Sequence, residues 1–519
     1  MSKRAKLLMF QGTGSDVGKS LLVAGLCRAY KRRGLIVRPF KPQNMSNNAA
    51  VTNEGGEIGR AQALQARACG CQPCNDMNPI LLKPQSQVGA QIVVQGKIWG
   101  KANARDYQQL KRQFLPAVLE SCERLRAQAD LVLIEGAGSA AEVNLRENDI
   151  ANMGFAMAAN CPVILIGDID RGGVLASLAG TYTLLPPEER ALLKGYIINK
   201  FRGDPALFGS APAILAQHGV APNFGLVPYF DQARQLPAED AVSLFEQKEQ
   251  DSSDKPLILV LKLPHIANFD DFDPLLAEQS IRLRFHPIDA PLPADCKLLI
   301  IPGSKATISD LEALHRQGWL HELHCFLRRG GRVLGICGGY QMLGNSVHDP
   351  EKRESETSAL AGFGLLDIST TLAHDKTLRT LSAESLHFGK KAQLSVGQNS
   401  NAQDIAPVHI DGYEIHIGRS QGKDCQRPFA RRITSPDHST TDLQQNFDGA
   451  INPEGTVFGT YLHGLFSNDR FRASFLEDLN FTATQGLSYE QQIEDCLDAL
   501  ADHLEQHLDL DAILASARD

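Results

Sequence analysis

Residues 9–20 read MFQGTGSDVGKS, an apolar run that breaks into a glycine-rich turn and closes on a lysine and a serine. The run KLLMFQ at 6–11 has the character of a strand buried on both faces, and the stretch from Lys19 to Arg33 reads as a helix. A strand, a glycine loop and a helix N-terminus in that order form an anion cradle. Gly12, Thr13, Gly14, Ser15 and Gly18 allow backbone N–H groups to turn inward around phosphate, Lys19 reaches the terminal phosphates, and Ser20 is placed to ligate Mg2+. Five residues separate Gly12 from Gly18, one more than the ordinary phosphate-binding loop G-x-x-x-x-G-K-[ST] has.

Working outward, LIVRPF, DLVLIEGAG, PVILIGDID and GYIINKF follow as further short apolar runs bounded by Gly, Pro and Asp. Such runs predict a parallel sheet covered by helices on both faces. A polar, charged stretch at 246–256, EQKEQDSSDKP, reads as a linker. The apolar pattern then restarts with LILVLKLP, KLLIIPGS, GRVLGI and VFGTYLHG. The expectation is an α/β protein of two doubly wound, mostly parallel-sheet domains: 1–245, a linker at 246–256, 257–472, and a helical tail at 473–519. The polar stretches 367–410 and 420–450 read as surface hairpins or insertions. Ile493, Leu497, Leu500 and Leu504 give the tail one apolar stripe, expected to pack on the second domain.

Composition narrows the function. The 519 residues are 43% apolar and 22% charged with a net charge of −8, which forces no basic face and argues against a nucleic-acid partner. No run approaches the ~18 apolar residues of a membrane span. Eleven cysteines lie scattered without a framework, and no export signal is read, so reduced thiols in the cytoplasm are expected. Cys69, Cys71 and Cys74 form C-x-C-x-x-C, but no histidine nearby completes a tetrahedral zinc site, and they read as small buried thiols.

A second chemical centre lies in GRVLGICGGYQMLG, 331–344. A strand runs into Cys337 with Gly338 and Gly339 behind it, the arrangement that throws a nucleophile up at the edge of a sheet. A helix N-terminus behind a thiol favours the thiolate, and the N–H of Gly338 can serve an oxyanion. His463, ending the run VFGTYLHGLF, is the candidate base; Gly303 and Ser304 of IPGSKATISDL offer a second oxyanion contribution.

The wording GTGSDVGKS resembles the loop of dethiobiotin synthetase and its relatives, which activate a carboxyl-type group with ATP. That resemblance implies Mg2+ held by Ser20, Glu57 (in EIGRAQALQA, 57–66) and Glu135 (in LVLIEGAGS, 131–139). It aligns PFKPQNMSNNA, 39–49, with the family's KP element, making Lys41 and Asn44 substrate or orienting candidates, and sets Asn199 against the adenine base. Asp168 and Asp170, just past a strand, could hold metal or contact substrate. Residues 255–470 resemble the class I glutamine amidotransferase domain, with one departure: that domain carries a Glu two residues after its His, and Leu465 stands there. The cobalamin-pathway branch shares the departure, and its resemblance to GYEIHIGRS (412–420) makes Glu414 and His416 candidate substitutes.

Taken whole, the chain resembles the cobyric acid synthase family. The resemblance implies ATP- and L-glutamine-dependent amidation of the b, d, e and g carboxylates of an adenosylated corrinoid. The cobyrinic acid a,c-diamide synthases share the layout and stand as the alternative; QNMSNN and the GTGSDVGKS loop favour the former. A P-loop switch ATPase would carry a second lysine near the loop's start, where Gln11-Gly12-Thr13 has none, and would not need Cys337 and His463. A plain cysteine hydrolase would not need Lys19 and Glu135. Oligomeric state is open.

Overall fold

The computed structural model describes residues 4–84, 89–220, 222–237, 254–352, 354, 357–388, 407–433, 446–484 and 486–518. The chain divides into two compact units, one of residues 1–239 with 491–519 and one of residues 240–490.

In the first unit six parallel strands stand in the order Asn223–Pro228, Leu193–Phe201, Val163–Asp168, Lys6–Gly12, Leu131–Ser139, Val37–Phe40. Consecutive residues such as Leu8, Met9 and Phe10 are all buried, as a sheet covered on both faces requires. Lys6–Gly12 lies mid-sheet between Leu131–Ser139 and Val163–Asp168, so the strand order changes direction at its carboxyl end. That switch point is where a doubly wound sheet opens a ligand crevice, and Gly12 stands there. The helix Lys19–Arg32 then departs from Gly18, whose φ of 90° is left-handed. Between Val37–Phe40 and Leu131–Ser139 the chain adds a four-stranded sheet, in the order Gln43–Met45, Ile80–Pro84, Gly89–Val94, Lys97–Asn103.

The C-terminal residues correct an expectation. From Gln491 on, the tail packs on the first unit, while residues 473–490 stay with the second as expected. Leu500 and Leu504 fill the space over Gly25, where a Cβ would meet them at 2.8 and 2.5 Å. Arg67 pairs with Glu494 at 2.7 Å, Arg32 with Asp502 at 2.7 Å and Arg33 with Asp511 at 2.8 Å. Tyr30 donates its hydroxyl to Leu510 O at 2.9 Å, and Leu7 bridges Arg518. A notch at Gly25 beside a row of arginines thus selects the tail's apolar stripe and its acidic flank.

The second unit has a six-stranded sheet in the order Arg282–Pro287, Leu257–Lys262, Cys296–Ile301, Arg332–Ile336, Val457–Thr460, Ala450–Ile451, parallel except at the last strand. The polar stretches expected as surface hairpins contain more order than that. Ile368–Ser385 and Val408–Gly422 pair antiparallel along most of their length, and Tyr413 and Glu414 pair in turn with His463 and Leu462. Residues 389–406 and 434–445 of those stretches, and most of the expected linker, lie outside the described residues. Among the described residues no helix is long and apolar enough to cross a membrane.

Candidate functional site

The first site is built at the carboxyl end of Lys6–Gly12. Lys19 is buried and donates Nζ to Gly14 O at 3.0 Å and Gly138 O at 2.9 Å, folding its ammonium back over the loop. Gly12 has no room for a side chain: a Cβ there would meet the backbone oxygen of Gly14 at 2.7 Å. Ser20 donates Oγ to Glu135 Oε1 at 2.7 Å. The same oxygen accepts from Lys41 Nζ at 2.8 Å, and Glu135 Oε2 accepts from Gln65 Nε2 at 2.7 Å. The carboxylate is completely buried, and such a charge persists because it is paired and hydrogen-bonded.

The structure therefore brings Ser20, Lys41 and Glu135 together, and gives other candidates different partners. Glu57 accepts from Lys83 Nζ at 2.6 Å. Asn44 donates to Gln62 Oε1 at 3.0 Å. Asp168 pairs with Lys200 at 3.0 Å and Asp170 with Arg202 at 3.1 Å. Asn199 donates Nδ2 to Val17 O at 2.8 Å, spending its amide nitrogen on the loop. Among the described residues no group of three or more His, Cys, Asp or Glu side chains is placed to hold a metal. A hydroxyl beside a carboxylate, as Ser20 and Glu135 stand, is nonetheless the hard oxygen pair that suits Mg2+ alongside phosphate oxygens. Of the thiol cluster, Cys69 is buried and Cys71 and Cys74 half-buried, all reduced, and burial pushes Cys74 up to about 11.

The second site forms where Arg332–Ile336 meets the short helix Gly338–Met342. Cys337 sits between them at φ 54° and ψ −110°, a strained conformation for a residue with a side chain. Its N–H donates to Thr460 O at 2.8 Å, tying the turn to the strand that leads to His463. A Cβ on Gly339 would lie 1.9 Å from Ile301 O, so only glycine permits the turn to close on the neighbouring strand. One on Gly338 would lie 3.0 Å from Ser304 N, and one on Gly303 would stand 3.5 Å from His463 Cε1 and 3.8 Å from Cys337 Cβ. Gly303, Ser304, Gly338, Cys337 and His463 thus converge. The Ser304 side chain faces elsewhere, donating Oγ to Asp310 Oδ2 at 2.6 Å, which leaves its backbone as the part nearest the elbow.

His463 has an orienting partner that the sequence did not reveal. Its Nδ1 donates to Asp271 Oδ2 at 2.6 Å, and the other oxygen of that carboxylate accepts from Gly464 N at 2.8 Å. Burial opposes charge on the ring, but the Asp271 carboxylate and the neighbouring Cys337 outweigh it and push His463 up to about 10. Nε2, the remaining ring nitrogen, is buried and makes no hydrogen bond among the described residues. Tyr413 stacks on the ring at 5.1 Å and 13° and accepts at its hydroxyl from Asn268 Nδ2 at 2.8 Å.

Glu414 and His416, the expected substitutes, do not hold His463 in this way. Glu414 is completely buried between two guanidinium groups, accepting from Arg379 Nε at 2.8 Å and Arg432 Nε at 3.0 Å. Strand alternation turns its side chain away from the face that Tyr413 presents. His416 stacks on Tyr461 at 3.7 Å and donates Nδ1 to Gly418 O at 3.1 Å; burial pushes it down to about 4, so it is neutral. Asp271 lies 192 residues before His463, so spacing around the histidine could not find it. The only local signal was an acidic turn, NFDDFDP at 268–274, soon after a buried strand.

Comparisons with known proteins match both halves of the chain. Residues 8–244 match the CobQ/CobB/MinD/ParA nucleotide binding domain, and residues 257–471 match the CobB/CobQ-like glutamine amidotransferase domain. A cobyric acid synthase of Methylorubrum populi is 52% identical over 514 residues, 99% of each chain. One from Allorhizobium ampelinum is 53% identical over 505 residues, covering 97% of this chain and 98% of its own. The chain belongs to the cobyric acid synthase family. A member from Rhodobacter capsulatus is 52% identical over 511 residues, 98% of this chain and 99% of its own. Membership makes this chain a glutamine amidotransferase joined to a nucleotide-binding domain, the pairing that the phosphate cradle and the thiol elbow embody.

Proposed function

We propose that the first unit activates a corrinoid carboxylate with ATP, and that the second releases ammonia from glutamine to convert it to an amide. The reaction class is glutamine-dependent amidation of corrinoid carboxylates, as for the cobyric acid synthases to whose family the chain belongs. The resemblance extends this to the b, d, e and g carboxylates of an adenosylated a,c-diamide. The observation that supports the reading is the gathering of two separate sets of reactive residues in one chain. Lys19, Ser20 and Glu135 line an anion cradle, and Cys337 stands beside a histidine aligned by Asp271.

In the second unit Cys337 Sγ attacks the amide carbon of glutamine. The N–H of Gly338 and the backbone of Ser304 receive the developing oxyanion. His463, protonated at neutral pH because Asp271 holds it high, gives its Nε2 proton to the departing nitrogen, and ammonia leaves. Water, losing a proton to the same nitrogen, then hydrolyses the glutamyl thioester to glutamate and frees the thiol. In the first unit the loop N–H groups and Lys19 neutralise the anionic oxygens as the γ-phosphoryl group passes to the carboxylate. Ser20 and Glu135 would hold Mg2+, which supplies further neutralisation of phosphate charge. Ammonia displaces phosphate from the acyl phosphate and leaves the amide. In neutral water ammonia is mostly ammonium, which is no nucleophile, so transfer requires a sheltered route. The eleven unpaired thiols suit a reducing cytoplasm.

Cys337→Ala tests the scheme. The expected outcome is loss of glutamine-dependent synthesis with ammonia-dependent synthesis retained, followed by mass spectrometry of the corrinoid product. A folded variant that added ammonium salt cannot rescue overturns it.

A further inference from the structure

Lys200 carries no role in any reading so far, yet its backbone is in an unusual state. It stands last but one in the strand Leu193–Phe201 at φ 61°, left-handed for a residue with a side chain. Asp16, in the phosphate loop, is also left-handed at φ 58°. The two lie 184 residues apart in sequence and touch: Lys200 Nζ donates to Asp16 O. Asn199 Nδ2 meanwhile donates to the next carbonyl, Val17 O, at 2.8 Å. Asp168 Oδ2 draws the same ammonium at 3.0 Å, and Arg171 holds the Asp16 side chain at 3.3 Å. The contact is tight enough that a Cβ on Gly18 would meet Asn199 Nδ2 at 2.3 Å.

We infer that Lys200, acting with Asn199, is a positioning residue of the nucleotide site. It grips the outward carbonyls of the loop from behind, so that the loop's N–H groups stay turned toward the phosphates before nucleotide arrives. A peptide unit points its C=O and N–H in opposite directions, so fixing the carbonyls of Asp16 and Val17 outward fixes the following N–H groups inward. A strained residue persists where its surroundings over-determine it, and here the partner of the strained lysine is itself strained. Preorganisation of this kind lowers the cost of binding. The inference rests on the loop being the ATP site.

The test is steady-state kinetics of ammonia-dependent synthesis in Lys200→Met, which keeps the stem and removes the ammonium. Loss of one charge-assisted hydrogen bond predicts a rise in KM for ATP of about tenfold or more, with kcat changed far less. An unchanged KM for ATP in a folded protein overturns the inference, as does a fall confined to kcat. Should Lys200→Met not fold, Asp168→Asn neutralises the carboxylate that steers the ammonium while keeping an acceptor for Asp170 N, and a smaller rise in KM for ATP is expected; no rise counts against the inference. Lys19→Ala separates the two layers. If it leaves synthesis intact, the nucleotide-site reading fails. If it abolishes synthesis while Lys200→Met leaves KM unmoved, only the grip fails.

Discussion

Asp271 shows what one residue contributes and why sequence hides it. Cys337 and His463 were legible because a glycine-flanked cysteine after an apolar strand, and a histidine ending another, are local patterns. The carboxylate that aligns the histidine is contributed from a distant turn and has no spacing to betray it. Glu57 shows the opposite case: a motif set it among metal ligands, and the fold pairs it with Lys83. Asp271→Asn should lower glutaminase kcat on the order of 10⁴-fold while ammonia-dependent synthesis survives, because the imidazole loses the partner that fixes its tautomer. The pair also makes a prediction about stability. His463 is held above its ordinary value, so the stabilisation is fully present below about pH 6.5 and is lost as pH rises through about 10. The gap in unfolding temperature between wild type and Asp271→Asn should therefore shrink across that window; a gap that widens with pH contradicts the pairing.

At the scale of elements, the strands of both parallel sheets were readable as apolar runs, since burial on both faces leaves no polar alternation to confuse the signal. The long antiparallel pair Ile368–Ser385 and Val408–Gly422 was legible only as polar hairpin sequence, because charges that pair inside the fold interrupt its apolar pattern. Glu414 is the chief of these. Arg432 binds it and also faces Asp448 at 3.8 Å, while Asp448 takes the Thr460 hydroxyl and accepts Tyr461 N at 3.2 Å. That chain of charges joins the hairpin to the strand that presents His463. Burial, only partly offset by Arg432, pushes Asp448 up to about 6. Arg432→Met would leave Glu414 to Arg379 alone and strip Asp448 of its cation, at a cost of about 3 kcal/mol, the scale for breaking a buried ion pair. Urea denaturation measures it, and a change under a few tenths of a kcal/mol would mean the network is ornamental to stability.

At the scale of the whole molecule, the division into two units was visible from the restart of the apolar pattern after residue 256, but the home of the tail was not. An amphipathic stripe states that a helix is covered and is silent on what covers it; Gly25 and the arginines around it decide, and they lie in the first unit. Both units matter because the central claim is a coupling: nitrogen released at Cys337 ends as an amide on a carboxylate activated beside Lys19. Isotope transfer tests this most directly. The enzyme is given ATP, a corrinoid carboxylate and glutamine labelled with 15N in the side-chain amide, in a buffer containing unlabelled ammonium, and the product is read by mass spectrometry. The account predicts that the new amides carry 15N in preference to the unlabelled pool. Unlabelled amides, or glutamine hydrolysis with no amide formed, would contradict it.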